Sequence, residues 1–134
     1  MNLLIDTNVA IDVLLRREPY YKGSARIFLL SEKGYVNTYI SASAATDIVY
    51  ILRRELKSGD AAVKLLAKLL QTAHIASVTE RNIREALDLG WNDFEDSVQY
   101  TAGKSIPADY IISRNPKDFA NSQISVVTPE DFIS

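Results

Sequence analysis

The sequence predicts an α/β fold in which a parallel sheet of four to five strands is covered on both faces by helices. Short runs rich in β-branched and aromatic residues alternate with longer stretches of helical period. Capping residues stand at the start of several helical stretches, and glycines stand at the end of two. Strands that alternate with helices imply right-handed crossovers and a buried parallel sheet. At 134 residues, 47% apolar and 24% charged, the chain can bury one real core, and a single domain over 1–134 is expected.

The first strand is Asn2 to Ile5. A helical pattern follows from Asn8, with Ile11, Leu14 and Leu15 on one face. After Pro19 a second helix carries Ala25, Phe28 and Leu29, and Gly34 stops it. Val36 to Ile40 reads as a strand. Ser41 reads as the N-cap of a helix running through Ala44, Ile48, Ile51 and Leu52. Ser58-Gly59-Asp60 breaks the chain before a helix with Val63, Leu66, Leu69 and Leu70. Ile75 to Val78 is a short strand, and Thr79 can cap a helix with Ile83, Ala86 and Leu87 that stops at Gly90. Asn92 with Glu95 resembles a capping box, which predicts a helix from Asp93. Tyr110 to Ile112 and Ile124 to Val127 are strands. Thr128-Pro129 opens a last helix, with proline in its first turn.

Several classes of function are excluded or disfavoured. The chain has no cysteine, which removes disulfides and thiolate zinc sites. The net charge of −2 argues against a non-specific coat for nucleic acid, although a nuclease can keep its bases on the rim of an acidic site. No apolar run approaches the ~18 residues of a membrane span, and no basic leader precedes Leu3-Leu4-Ile5, so the cytoplasm is the expected compartment. The only histidine, His74, has no partner for a Ser-His-Asp arrangement, and no nucleophile elbow is present. Five glycines form no phosphate-cradling loop. A haloacid-dehalogenase-like phosphatase needs a second aspartate where Asn8 stands.

The acids carry the chemistry. In an open parallel sheet, ligands sit beyond the carboxyl ends of the strands. Asp6 follows the first strand, and Arg114-Asn115 follows the fourth. Asp47 lies two turns into the helix after the second strand, and Asp93 and Asp96 lie at the start of a later helix. Asp6, Asp47, Asp93, Asp96 and Asn115 can therefore converge. Clustered carboxylates repel each other unless a cation joins them, and oxygen ligands without His or Cys select Mg²⁺, Mn²⁺ or Ca²⁺. The matching chemistry is metal-assisted hydrolysis of a phosphodiester. Each residue also has a plainer reading. Asp6 can be a helix cap, Asp93 a partner of the helix dipole, Asn115 a turn residue, and Glu95 and Asp118 surface acids. Asp47 has small or apolar neighbours in Ala44, Ala45 and Ile48, which makes a solvated face less natural for it. Tyr20-Tyr21 can stack on bases or pack. Arg16-Arg17, Arg53-Arg54-Lys57 and Lys64/Lys68 can line an RNA path or a solvated helix face.

At these residues the chain resembles the PIN-domain family, and specifically its small VapC-like toxin ribonucleases. Leu4-Ile5-Asp6-Thr7-Asn8 is similar to the first motif. Ile40-Ser41-Ala42-Ser43-Ala44-Ala45-Thr46-Asp47 is similar to the second, whose final acid is usually Glu. Asp93-Phe94-Glu95-Asp96-Ser97-Val98-Gln99 is similar to the third. Tyr110-Ile111-Ile112-Ser113-Arg114-Asn115-Pro116-Lys117-Asp118-Phe119 is similar to the fourth, and Val127-Thr128-Pro129-Glu130-Asp131-Phe132 also fits. The resemblance implies a three-layer α/β/α sandwich, ribonuclease activity with Mg²⁺ or Mn²⁺, a cognate antitoxin and a homodimer. Carried over, it makes Asp6, Asp47 and Asp96 metal ligands, and Asn115 completes the site directly or through water. Thr7 and Asn8 support the first ligand. Ser113 and Arg114 orient the loop or an RNA phosphate. There are two departures: Asp47 is one methylene shorter than the usual Glu, and Asn115 for Asp lowers the charge offered to a metal.

Two other readings compete. An inactive PIN-fold module that binds RNA or a protein partner without cleaving is kept open by Asn115. A receiver-like signalling domain needs a paired acid at the first strand end, where Ile5-Asp6-Thr7 offers one.

Overall fold

A computed structural model describes residues 1–134. In chain order it contains β1 (Asn2–Ile5), α1 (Thr7–Leu14), α2 (Tyr21–Glu32), β2 (Asn37–Ser41), α3 (Ala42–Leu56), α4 (Gly59–Leu69), β3 (Ala73–Ala76), α5 (Glu80–Leu89), α6 (Phe94–Ser105), β4 (Tyr110–Ile112), a 3-10 turn (Pro116–Phe119), β5 (Ser125–Val127) and α7 (Pro129–Ile133). The five strands form one sheet in the order β3-β2-β1-β4-β5, and every pair is parallel. In register, Leu3 of β1 meets Thr38 of β2 on one side and Tyr110 of β4 on the other. This is the α/β/α sandwich that the sequence predicts.

Both faces of the sheet are covered because its central strands are apolar at successive positions rather than alternate ones. Leu3, Leu4 and Ile5 are all fully buried, each contributing roughly 2 kcal/mol of apolar burial. Successive side chains point to opposite faces. Leu3, Ile5, Ile40 and Ile112 join the larger core with residues of α1 to α4. Leu4 and Ile111 join the second core with Tyr100, Ala102 and Phe119, against which Trp91 packs. Gly103 lets α6 approach β1 closely, since a Cβ there would stand 3.2 Å from Leu4 Cδ2.

Most of the expected helix starts are present. Ser41, Ser58 and Thr79 cap α3, α4 and α5, and Thr79 forms a reciprocal box with Asn82. Three details differ from the sequence reading. The third strand is Ala73–Ala76, two residues earlier than expected, because pairing with β2 sets its register and its outward His74 and Ile75 belong to an edge. Helix α6 begins at Phe94, capped by Asp93 through Asp96 N, so the Asn92–Glu95 box is replaced by a simple aspartate cap. The Pro116–Phe119 turn was not expected as an element; it seats Phe119 in the core.

The topology fixes where a site can form. From the central β1 the chain builds outward through β2 to β3, then returns through α5 and α6 to add β4 and β5 on the other side. The order therefore reverses between β1 and β4. A crevice opens beyond the strand ends at such a switch point.

Candidate active site

Asp6 stands at that crevice. It leaves β1 in extended conformation and caps α1, which aims its carboxylate toward the crevice. Oδ1 accepts from Thr7 N at 2.8 Å and from Gln99 Nε2 at 3.1 Å, and Oδ2 accepts from Ser113 Oγ at 2.7 Å. Those donors come from α1, α6 and the end of β4. Three donors would lower the pKa of a carboxyl group, but burial outweighs them and holds Asp6 above its ordinary value.

Five further carboxylates share the cleft of about 510 Å³ with Asp6: Asp47, Asp93, Glu95, Asp96 and Asp118. Asp47 reaches it because Ala44, Ile48 and Leu52 bury the adjacent stripe of α3. Carboxylate oxygens of Asp93, Glu95 and Asp96 lie within 4.8 Å of one another. Glu95 Oε2 accepts from Gln99 Nε2 at 2.9 Å, while Oε1 is buried without a partner. Gln99 thus donates one amide hydrogen to each of two acids that would otherwise repel.

The electrostatic cost of this gathering is visible in the protonation. Glu95 is pushed up to about 7, first by desolvation and then by the charges of Asp47, Asp6 and Asp93. Asp96 is also pushed up to about 7, by desolvation and then by Asp6, Asp93, Glu95 and Asp118. The donors are all oxygen, Glu95 and Asp96 are pushed up to about 7, and Glu95 Oε1 is buried without a partner. That combination fits a hard divalent cation.

The sequence-derived candidates divide clearly. Asp6, Thr7, Asn8, Asp47, Asp93 and Asp96 line one cleft. Ser113 lies behind it and holds Asp6. Asn115 does not line it; its backbone N–H donates to Ser113 Oγ at 3.1 Å. Arg114 also turns away. Its Nε stands 2.7 Å from Oδ2 of the fully buried Asp12 in an off-line ion pair, Nη2 donates to Asp12 Oδ1 at 3.4 Å, and its Cζ lies 4.1 Å from the Tyr20 ring centroid. Of the two expectations for Arg114, orienting the loop is the one its contacts match. Burial keeps Asp12 above its ordinary pKa despite that arginine.

Four residues that the sequence reading left without a role belong to this architecture. Glu95 and Asp118, read as surface acids, line the cleft. Gln99 bridges two of its acids, and Asp12 anchors Arg114. The i, i+4 spacing of Glu95 and Gln99 was a visible signal, since it places the amide one turn above the acid. Asp12 gave none, because its partner is distant in the chain.

The parallel α/β/α sandwich thus gathers its acids at the switch point of its sheet. The family model described as "PIN domain" matches residues 2–117, and the chain belongs to that family. No curated protein sequence matches it. Among solved structures, the chain is similar to VapBC2 from Rickettsia felis, bound there to a DNA fragment from its promoter. Identity is 15% and the TM-score 0.71, over 95% of this chain and 97% of that one. It is similar to Mycobacterium tuberculosis VapC20, a toxin that cleaves the sarcin-ricin loop. There identity is 13% and the TM-score 0.71, over 89% and 94% of the two chains. A toxin–antitoxin complex from Klebsiella pneumoniae matches at 20% identity and a TM-score of 0.69, over 95% and 97%. These likenesses show the fold.

Proposed function

We propose that this chain is a divalent-metal-dependent ribonuclease that hydrolyses RNA phosphodiester bonds, and that it is the toxin of a type II toxin–antitoxin pair. One observation carries the reading: six carboxylates from separate parts of the chain line a single cleft. Asp6, Asp47 and Asp96 would hold Mg²⁺ or Mn²⁺, with Glu95 Oε1 as a further donor. Such an ion, when bound, supplies a water made nucleophilic at neutral pH and charge to stabilise the leaving oxygen. Thr7, Ser113 and Gln99 fix the Asp6 carboxylate. Asp93 both caps α6 and adds charge.

The family and the toxin complexes among the structural relatives support the toxin assignment and a protein antitoxin, and the resemblance to the family implies a homodimer. Asn115 keeps an inactive binding module as the alternative. The charge lost there is offset by Asp118, which lines the cleft from the following turn.

The test is cleavage of a labelled RNA in Mn²⁺ by the natural chain, Asp6→Asn and Asp96→Asn. Cleavage should require the ion and fall at least about a hundredfold in each variant. Cleavage unaffected by both substitutions, or absent at every metal concentration, would overturn the enzyme. Co-purification with the product of a neighbouring short reading frame tests the antitoxin.

A further inference from the structure

Resting on the ribonuclease reading, we propose that Tyr50, Arg54 and Arg17 form a subsite for an unpaired nucleotide of single-stranded RNA beside the acidic cluster. Asp47, Tyr50, Ile51 and Arg54 follow at i, i+3, i+4 and i+7 along α3, and all four line the cleft. The face runs from an acid, through an aromatic ring, to a guanidinium. Arg17, just beyond α1, lines the same cleft.

The state of each side chain favours a ligand over an internal role. Tyr50 is 66% exposed, with the Arg54 guanidinium 5.8 Å from its ring centroid. Tyr50 is the only aromatic residue that lines this cleft. Neither Arg17 nor Arg54 forms an ion pair, although six carboxylates share their cleft. The ion pairs of the molecule use Lys64, Arg84, Lys104 and Arg114 instead.

The chemistry selects the ligand. An acidic cluster repels a polyphosphate chain, so any strand crossing it needs fixed positive charge alongside. The Arg17 and Arg54 guanidiniums, neither of them in an ion pair, supply that charge for phosphates flanking the cluster. An exposed tyrosine face stacks on a base of any identity. In a duplex both faces of each base are covered by neighbours, so only an unpaired base can take this position.

The experiment uses the full chain carrying Asp96→Asn, which blocks cleavage in the ribonuclease reading. The probe is a fluorescein-labelled oligoribonucleotide of mixed sequence, about 12 nucleotides long, within the usual span of single-strand sites. Binding is read by anisotropy in Mg²⁺, with the probe single-stranded or annealed to its complement. The single strand should bind more tightly than the duplex. Adding Tyr50→Ala should weaken single-strand binding about tenfold, whereas Tyr50→Phe should stay within about twofold. Arg54→Gln or Arg17→Gln should reduce the slope of affinity against salt by about one phosphate contact. All three side chains lie at the cleft surface, and circular dichroism checks that each variant is folded. Equal binding of duplex and single strand, undetectable binding, or Tyr50→Ala binding as tightly as its parent overturns the subsite. The nuclease reading is tested separately by the natural chain in Mn²⁺. Cleavage there with binding indifferent to Tyr50 removes the subsite alone, and Tyr50-dependent binding without cleavage removes the enzyme alone.

Discussion

Gln99 shows how a single neutral side chain can organise an acidic site. It is 1% exposed, and its amide nitrogen reaches Asp6 at 3.1 Å and Glu95 at 2.9 Å. Its own Oε1 is buried without a partner. Gln99→Leu should therefore lower Mn²⁺ affinity about tenfold by releasing two donor carboxylates, as read by calorimetric titration. Stability should also fall by about 1–3 kcal/mol, because Glu95 Oε2 loses the donor that Gln99 supplies. Glu95 and Asp96 make a second prediction at this scale. Both have folded pKa values of about 7, above the ordinary 4.5 and 3.8. Between those limits the folded state keeps protons that the unfolded chain has lost, so metal-free stability falls as pH rises. The loss should be complete above about pH 7 and absent below about pH 4. Melting temperatures in a chelator across that window should decline for the natural chain and flatten for Glu95→Gln with Asp96→Asn. Equal slopes would show that the two protons are not held.

Among the elements, the joint between α1 and the loop after β4 matters most. Asp12 on α1 holds Arg114, whose backbone N–H donates to Asn8 Oδ1 at 3.5 Å. The neighbouring Ser113 carries the hydroxyl that orients Asp6. The ion pair thus fixes a loop rather than meeting a ligand. Arg114→Met leaves the Asp12 carboxylate buried without a cation and should cost about 3–5 kcal/mol. Asp12→Asn combined with Arg114→Met should cost less than the sum of the two changes, by about 1–3 kcal/mol of coupling. Urea unfolding of the four proteins measures both quantities, and strict additivity would sink the brace. Helix α6 offers a second test. Glu95, Gln99 and Gly103 fall on one stripe at i, i+4 and i+8, so the close approach at Gly103 sets how near the amide comes to Asp6. Gly103→Ala must displace Leu4 or lift the helix, since its Cβ would come within 3.2 Å of Leu4 Cδ2. A loss of about 1–3 kcal/mol is expected from overpacking, together with weaker Mn²⁺ binding. Stability unchanged from the natural chain would mean that the neighbours give way freely.

For the molecule as a whole, metal and fold should be coupled. The proposed ligands lie at the end of β1, on α3 and on α6, which meet only in the folded chain, so a cation held by them would bind the native state in preference. At a free Mn²⁺ concentration about a hundredfold above Kd, stability should rise by about 2.7 kcal/mol, raising Tm by about 8 °C. The rise should be larger at pH 8 than at pH 5, because protons on Glu95 and Asp96 compete with the ion. It should vanish in Asp6→Asn with Asp96→Asn. A shift indifferent to pH and to both substitutions would place the metal elsewhere. No helix is long and apolar enough to cross a membrane.

Much of this was legible in the chain. Hydrophobic periodicity marked the strands and helices, and the run Leu3-Leu4-Ile5 marked a first strand that ends just before Asp6. Motif order then brought Asp6, Asp47, Asp93 and Asp96 to one edge of the sheet. These are local signals: side-chain period, capping chemistry and position relative to a strand end are properties of neighbouring residues. The third strand was placed two residues late because at a sheet edge register is set by the partner strand, and Ala73 and Ala76 carry little β preference of their own. What only the tertiary structure decided was which way side chains turn once distant segments meet. It put Glu95 and Asp118 in the cleft, turned Arg114 to Asp12 and left Asn115 outside the cleft lining. Desolvation and charge–charge energy depend on separations in space, and sequence distance does not encode them.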